Sequence, residues 1–174
     1  MDNSITPVIS FVASSGAGKT TLLEKVVRIL KTKGYKLAVI KHVAHRFEID
    51  RPGKDSWIMS QAGADIVAVS SQEKIAVIEK REKEKSLDEI IAALPKVDII
   101  LTEGYKGGDK PKIEISRSGI SGELLCEPKQ LLAIASDVLR DVGVPCFSIN
   151  DAEGVANVII NYTKEFTVRY RDNS

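Results

Sequence analysis

The residues best suited to chemistry in this chain are a lysine and two threonines that follow a run of small side chains. Positions 13–21 read Ala13-Ser14-Ser15-Gly16-Ala17-Gly18-Lys19-Thr20-Thr21. The phosphate-loop pattern is G-x-x-x-x-G-K-[ST], and only its first position departs here, from glycine to the next smallest side chain. Glycines let the amides of Ser15, Gly16, Ala17 and Gly18 turn inward around an anion, and the following helix N-terminus adds a favourable dipole. Lys19 would reach the β- and γ-phosphates, and the Thr20 hydroxyl would bind Mg²⁺. The alternative is a Ser/Gly turn that merely joins a strand to a helix. The lysine-threonine pair at this offset argues against it, and the chain is expected to bind a nucleoside phosphate.

Such a loop needs a second acidic group for Mg²⁺, at the C-terminal end of a neighbouring apolar strand. Glu103 closes the run IILT and is followed by Gly104, which would allow close approach to a phosphate. Asp98, at the other end of that run, is a weaker candidate, and the alternative for Glu103 is an exposed strand-end carboxylate. Asp50 either orients water or Mg²⁺ near the γ-phosphate or is a turn residue before Pro52. Ser136-Asp137, at the end of LLAIA, stands where phosphate-loop proteins often read the base. A carboxylate there accepts from N1–H and the N2 amino group of guanine, a pair that adenine lacks. Asp137 serves equally well as the cap of the turn DVLRD. Lys54, and Lys106, Lys110 and Lys112 in YKGGDKPK, are phosphate contacts or solvated surface cations. His42 and His45 form H-x-x-H in a loop with no third ligand nearby, which is a weak metal signal.

Elements must hold these groups in place. Residues 8–12 supply a β-type run before the loop, and Leu22, Leu23, Val26, Val27 and Leu30 recur at helical spacing after it, ending near Lys33-Gly34. Residues 35–40 (YKLAVI) read as a buried parallel strand. Asp55 or Ser56 caps a short helix that ends at Gly63. Residues 64–70 and 74–78 are two β-type runs around SQE, either a hairpin added to the parallel sheet or an arm that pairs with another subunit. The run EKREKEK that follows is a solvated connection, and Ser86 to Glu89 is a capping box opening a helix stopped by Pro95. Residues 97–102 form another buried strand. Residues 112–116 (KIEIS) alternate like a strand with one face wet. Residues 131–135 and 144–149 are two further strands, and Asn150 or Asp151 caps a last helix. The pattern predicts an α/β fold, a three-layer P-loop NTPase with a mostly parallel sheet and an added β-hairpin. Residues 1–174 are expected to form one nucleotide-binding domain, with 64–80 the hairpin used in dimerisation.

Composition narrows the field. Hydrophobic residues make up 43%, enough for a core. Lys+Arg 25 against Asp+Glu 24 leaves +1, which gives no electrostatic case for nucleic acid or an anionic membrane. Cys126 and Cys146 have no metal spacing and read as core thiols. With no membrane span and no basic, apolar leader, the expected home is the cytoplasm.

Four segments in this order, ASSGAGKTTLLEKV, KHVAHRFEIDRPGKDSWIMSQAGA, VDIILTEGYKGGDKPKIEISR and LLAIASD, resemble the MobB family of molybdopterin-guanine dinucleotide biosynthesis adapter proteins. The resemblance runs from Val8 to about Tyr162. It implies a GTP-binding homodimer with at most weak GTPase activity, assisting a MobA-type guanylyltransferase that joins GMP to molybdopterin. It places Gly16, Gly18, Lys19, Thr20 and Thr21 on phosphates, Thr20, Asp50 and Glu103 around Mg²⁺, and the hairpin in an intersubunit sheet. Departures are Ala13 for the usual first glycine, KHVAH where the family tends to be more polar after the first histidine, and Ser14. In dimeric relatives with a deviant phosphate loop, an extra lysine at that place acts across the interface.

Against the adapter stand a P-loop small-molecule kinase and a regulatory or metal-insertion GTPase. A kinase would need an arginine-bearing lid, and only Arg46 and Arg51 share a loop. A metal-insertion GTPase would need a richer Cys/His cluster than His42 and His45. No water-activating Gln or arginine finger is evident. The sequence therefore favours the adapter.

Overall fold

In a computed structural model, residues 6–171 are described; residues 1–5, on which the leader expectation partly bears, lie outside them. The apolar run after Pro7 becomes β1 (Val8–Ala13), buried along its whole length. Helix α1 (Lys19–Thr32) follows and buries Leu22, Leu23, Val26 and Leu30, the face its spacing predicted. It stops where Gly34 adopts φ 89°, with the Gly34 amide donating to Lys31 O and the Tyr35 amide to Leu30 O. That pair of bonds satisfies the last carbonyls in the Schellman manner.

Strands β2 (Leu37–Lys41), β5 (Ile99–Glu103), β6 (Lys112–Ser116), β7 (Leu131–Ser136) and β8 (Cys146–Ser148) join β1 in one sheet, ordered β2-β5-β1-β6-β7-β8. Every pairing in it is parallel. The hairpin strands β3 (Ile66–Ser70) and β4 (Ile75–Glu79) form a two-stranded antiparallel sheet of their own. The last helix, α4 (Ala152–Arg171), opens with Asp151 Oδ1 accepting the Gly154 amide at 2.9 Å, so Asp151 is the cap.

Ile9, Phe11 and Ala13 of β1 face a core shared with Leu22 and Val26 of α1 and Val155 and Ile159 of α4. Val12 faces the other way, into a smaller cluster with Cys126, Leu131 and Ile134, against which Cys146 packs. A central strand covered on both faces should be apolar throughout. β6 is not. All five of its residues are buried, with Lys112 at 0% and Glu114 at 1% exposure, so the wet face expected for KIEIS is wrong. Both charged groups bond main chain inside the protein. β2 departs the other way. It is an edge strand, and Val39 is largely exposed.

The chain divides into two compact units, 1–42 with 91–174, and 43–90. In the second, α2 (Asp55–Gln61) begins after Lys54, whose side chain makes no capping bond, so Asp55 and Ser56 occupy its first turn instead of capping it. The hairpin exposes apolar side chains, Ile75 at 68%, Val77 at 60% and Ile66 at 59%. The capping box forms at the start of α3 (Leu87–Ala93): Ser86 Oγ accepts the Glu89 amide at 3.2 Å and Glu89 Oε2 accepts the Ser86 amide at 2.8 Å. Among the described residues no helix is long and apolar enough to cross a membrane.

Candidate functional site

The sheet order decides where chemistry can happen. β1 lies between β5 and β6, so the loop leaving its C-terminal end emerges beside the ends of both. In parallel sheets that edge is the ligand side. The loop turns through Gly16 at φ 78° and Gly18 at φ 94°, values that side-chain-bearing residues rarely adopt. Ala13 needs no such freedom, because no non-glycine described residue has positive φ and its side chain packs into the core. Alanine for glycine at the first motif position is thereby accommodated. Ala17 is also buried in that core, which ties the loop to the helix it opens.

Register places Glu103 beside this loop: Phe11 of β1 pairs with Glu103 of β5, and Lys41 of β2 pairs with it from the other side. Glu103 is 7% exposed, and its carboxylate gathers three partners. Lys19 Nζ stands 3.2 Å from its Oε1 and Lys41 Nζ 3.8 Å. The Thr20 hydroxyl donates to the same oxygen at 3.3 Å. Residues 13–21, Glu103 and Lys106 line one open cavity of about 510 Å³. Of the sequence-derived candidates, Ser15, Gly16, Ala17, Gly18, Lys19, Thr20, Thr21 and Glu103 thus come together. Lys106, which the sequence offers as either a phosphate contact or a solvated cation, joins them; its position three residues past Glu103 is the signal.

Other candidates have other partners. Ser136 and Asp137 are not among the residues lining that cavity. Asp137 accepts from the Ser118 amide at 2.7 Å and the Ser118 hydroxyl at 2.9 Å, and these bonds hold its carboxyl below the usual range. It ties two loops together; the expected cap of DVLRD is replaced by Ser136 Oγ, which accepts the Val138 amide at 3.1 Å. Asp50 belongs to the 43–90 unit. Its Oδ1 accepts the Arg51 amide at 2.8 Å, while Oδ2 is buried without a hydrogen-bond partner among the described residues. Lys54 lines a cleft of that unit with Asp50, Arg51 and residues 67–70 of β3.

Gly104 does something other than admit a phosphate. It adopts φ 109°, and a β-carbon on it would lie 3.0 Å from His42 O and 3.1 Å from His42 Cβ. The His42 amide donates to Glu103 O at 2.8 Å, and its ring packs on Tyr105 with centroids 5.1 Å apart. His42 therefore buttresses the Glu103 strand end. Among the described residues no three His, Cys, Asp or Glu side chains gather as a metal-binding group. A hydroxyl and a carboxylate oxygen side by side, as in Thr20 and Glu103, are the hard donors that Mg²⁺ prefers when phosphate and water complete its shell.

Comparison with known proteins agrees with this geometry. The family model for MobB, molybdopterin guanine dinucleotide synthesis protein B, matches residues 8–137. The chain belongs to the MobB family. It is 36% identical over 91% of its length to the molybdopterin-guanine dinucleotide biosynthesis adapter protein of Escherichia coli (strain K12), covering 94% of that relative. The protein of the same name from Haemophilus influenzae is 33% identical, over 95% of this chain and 94% of its own. A crystal structure of molybdopterin-guanine biosynthesis protein B superposes with a TM-score of 0.69 at 28% identity, over 89% of this chain and 99% of that one. The matched region spans β1, the phosphate loop, Glu103 and Asp137, so the family's phosphate-loop nucleotide-binding character and this cavity concern the same residues.

Proposed function

We propose that this protein is a cytoplasmic GTP-binding adapter of molybdopterin-guanine dinucleotide biosynthesis, delivering or sensing nucleotide for a MobA-type guanylyltransferase acting on molybdopterin. The observation that carries the reading is the convergence of Lys19, Thr20 and Glu103 within one phosphate-loop cavity. The amides of Ser15, Gly16, Ala17 and Gly18, with Lys19 and Thr21, hold the phosphates. Thr20 and Glu103 hold Mg²⁺, which when bound neutralises phosphate charge. Lys19 now spends its ammonium on Glu103; binding a nucleotide redirects it to phosphate and frees the carboxylate for the metal side. Nothing in the cavity besides Glu103 offers a base to activate water, in keeping with weak turnover. Guanine reading by Asp137 requires Ser118 to release it, so base selection is coupled to that loop.

The hairpin's exposed Ile66, Ile75 and Val77 are proposed to pair with a second copy, since an uncovered apolar strand edge otherwise invites aggregation. Light scattering that shows a stable monomer at high micromolar concentration would remove this part. The nucleotide reading is tested by titrating GTP against ATP, with and without Mg²⁺, on wild type and Lys19→Ala. GTP-selective, Mg²⁺-dependent binding lost in the variant supports it. Equal or better ATP binding with turnover near ~1 s⁻¹ overturns both the guanine assignment and the adapter role.

A further inference from the structure

We propose that Lys106 is a second phosphate-directed cation of this site, contacting the terminal phosphoryl group of a bound nucleoside triphosphate, and that buried Lys112 positions the loop that presents it. The proposal rests on the nucleotide-binding reading above and assigns work to two residues outside the phosphate-loop motif. Lys106 lines the cavity with residues 13–21 and Glu103, and it is exposed. Lys19 and Lys41 are both drawn onto Glu103, and Lys110 sits 3.5 Å from Asp109. No ion pair engages Lys106 among the described residues.

The loop carrying Lys106 is tightly folded: its amide donates to Gly104 O at 2.8 Å, and the Gly108 amide to Tyr105 O at 3.3 Å. What fixes it is Lys112, on a strand flanked by β1 and β7, where an apolar side chain would be expected. An ammonium taken out of water is costly unless it is hydrogen-bonded. Lys112 Nζ finds the carbonyls of Gly108 at 2.6 Å and Lys110 at 3.1 Å, both in this loop. The buried lysine thus anchors residues 108–110 to the sheet, and the turn from Gly104 to Gly108 sets Lys106 at the cavity rim. The terminal phosphate is assigned to Lys106 because the inner phosphates are taken by the amides of the loop and helix N-terminus, whereas Lys106 follows the acidic strand end at Glu103 by three residues and lines the same cavity.

The test is isothermal titration of Mg·GTP and Mg·GDP into the full chain, as wild type, Lys106→Ala, Lys106→Arg and Lys112→Met, with thermal melts beside each. A charge-assisted contact to the terminal phosphate makes Lys106→Ala bind GTP roughly tenfold more weakly while GDP changes less than about twofold. Lys106→Arg restores most of the GTP affinity. Lys112→Met, which keeps the cation but unties its loop, lowers the GTP:GDP affinity ratio in the same direction by a smaller factor. Wild-type affinities in Lys106→Ala overturn the proposal and leave the nucleotide reading standing. Equal losses for GTP and GDP overturn the terminal-phosphate assignment. Wild-type protein that binds neither nucleotide removes the nucleotide reading, and the proposal with it.

Discussion

Glu103 and Glu114 are two buried glutamates of one sheet, and they are satisfied in different ways. Glu103 closes β5, and its partners are side chains with other uses: two lysines and the Thr20 hydroxyl. Glu114 lies mid-strand in β6, and its partners are main-chain amides, Leu125 at 2.7 Å and Cys126 at 3.0 Å. Side-chain partners can be exchanged for a ligand without moving the backbone. Amide partners cannot. The first arrangement is poised to rearrange when phosphate arrives; the second pins the segment around Leu125 and Cys126 to the sheet. Burial alone does not tell a functional acid from a structural one, whereas the identity of the donors does.

The largest expected effect separates them directly. Glu114→Gln keeps the shape but turns an amide donor toward a main-chain donor, leaving at least one buried N–H unpaired. We expect a loss of about 2–3 kcal/mol in urea unfolding. Glu103→Gln loses only partners that water can partly replace, since Lys19 and Lys41 are 20% and 60% exposed in their side chains. Its stability should change by less than about 1 kcal/mol, while Mg²⁺-dependence of nucleotide binding disappears. If Glu103→Gln is the more destabilised variant, the contrast is broken.

How far the sequence discloses this contrast depends on how local each device is. The phosphate loop is a contiguous motif, and Glu103 follows from it because a parallel strand must end beside it. The hairpin, the capping box at Ser86 and Glu89, and the helical face of α1 are equally local, set by periodicity and turn chemistry. The roles of Lys112 and Glu114 are not. Their alternation with Ile113 and Ile115 imitates a half-wet strand, because nothing in KIEIS announces that carbonyls of 108 and 110 and amides of 125 and 126 will meet them inside. The bonding of Asp137 is hidden for the same reason. Its place at a strand end is legible, but its partner, Ser118, lies 19 residues away across a loop.

A second, somewhat smaller effect tests the claim that the Glu103 end is held by backbone as well as by lysines. Gly104→Ala places a β-carbon 3.0 Å from His42 O at a φ of 109°. The strain and the displaced His42 should cost about 1–3 kcal/mol. They should also weaken nucleotide binding, since the neighbouring carboxylate shifts. A stable variant that binds nucleotide normally would show that the buttress is dispensable.

The smallest effect is a pH dependence on the Glu114 side. Burial first, and then the Glu114 carboxylate beside it, push the Cys126 thiol up to about 11 from an ordinary 9.0. A raised folded-state value means the folded protein holds this proton more tightly than the unfolded chain does. The associated stability is therefore fully present below pH 9 and is lost between about pH 9 and pH 11. Other groups titrate in that window, so the measurement is a difference: unfolding free energies of wild type and Cys126→Ala at pH 8 and pH 10.5. The gap between them should narrow at the higher pH, because only wild type must keep a thiol neutral beside Glu114. A gap that stays constant would mean that neither burial nor the carboxylate raises the folded-state value of the thiol. The fixed side of the contrast would then rest on the two amide bonds to Glu114 alone.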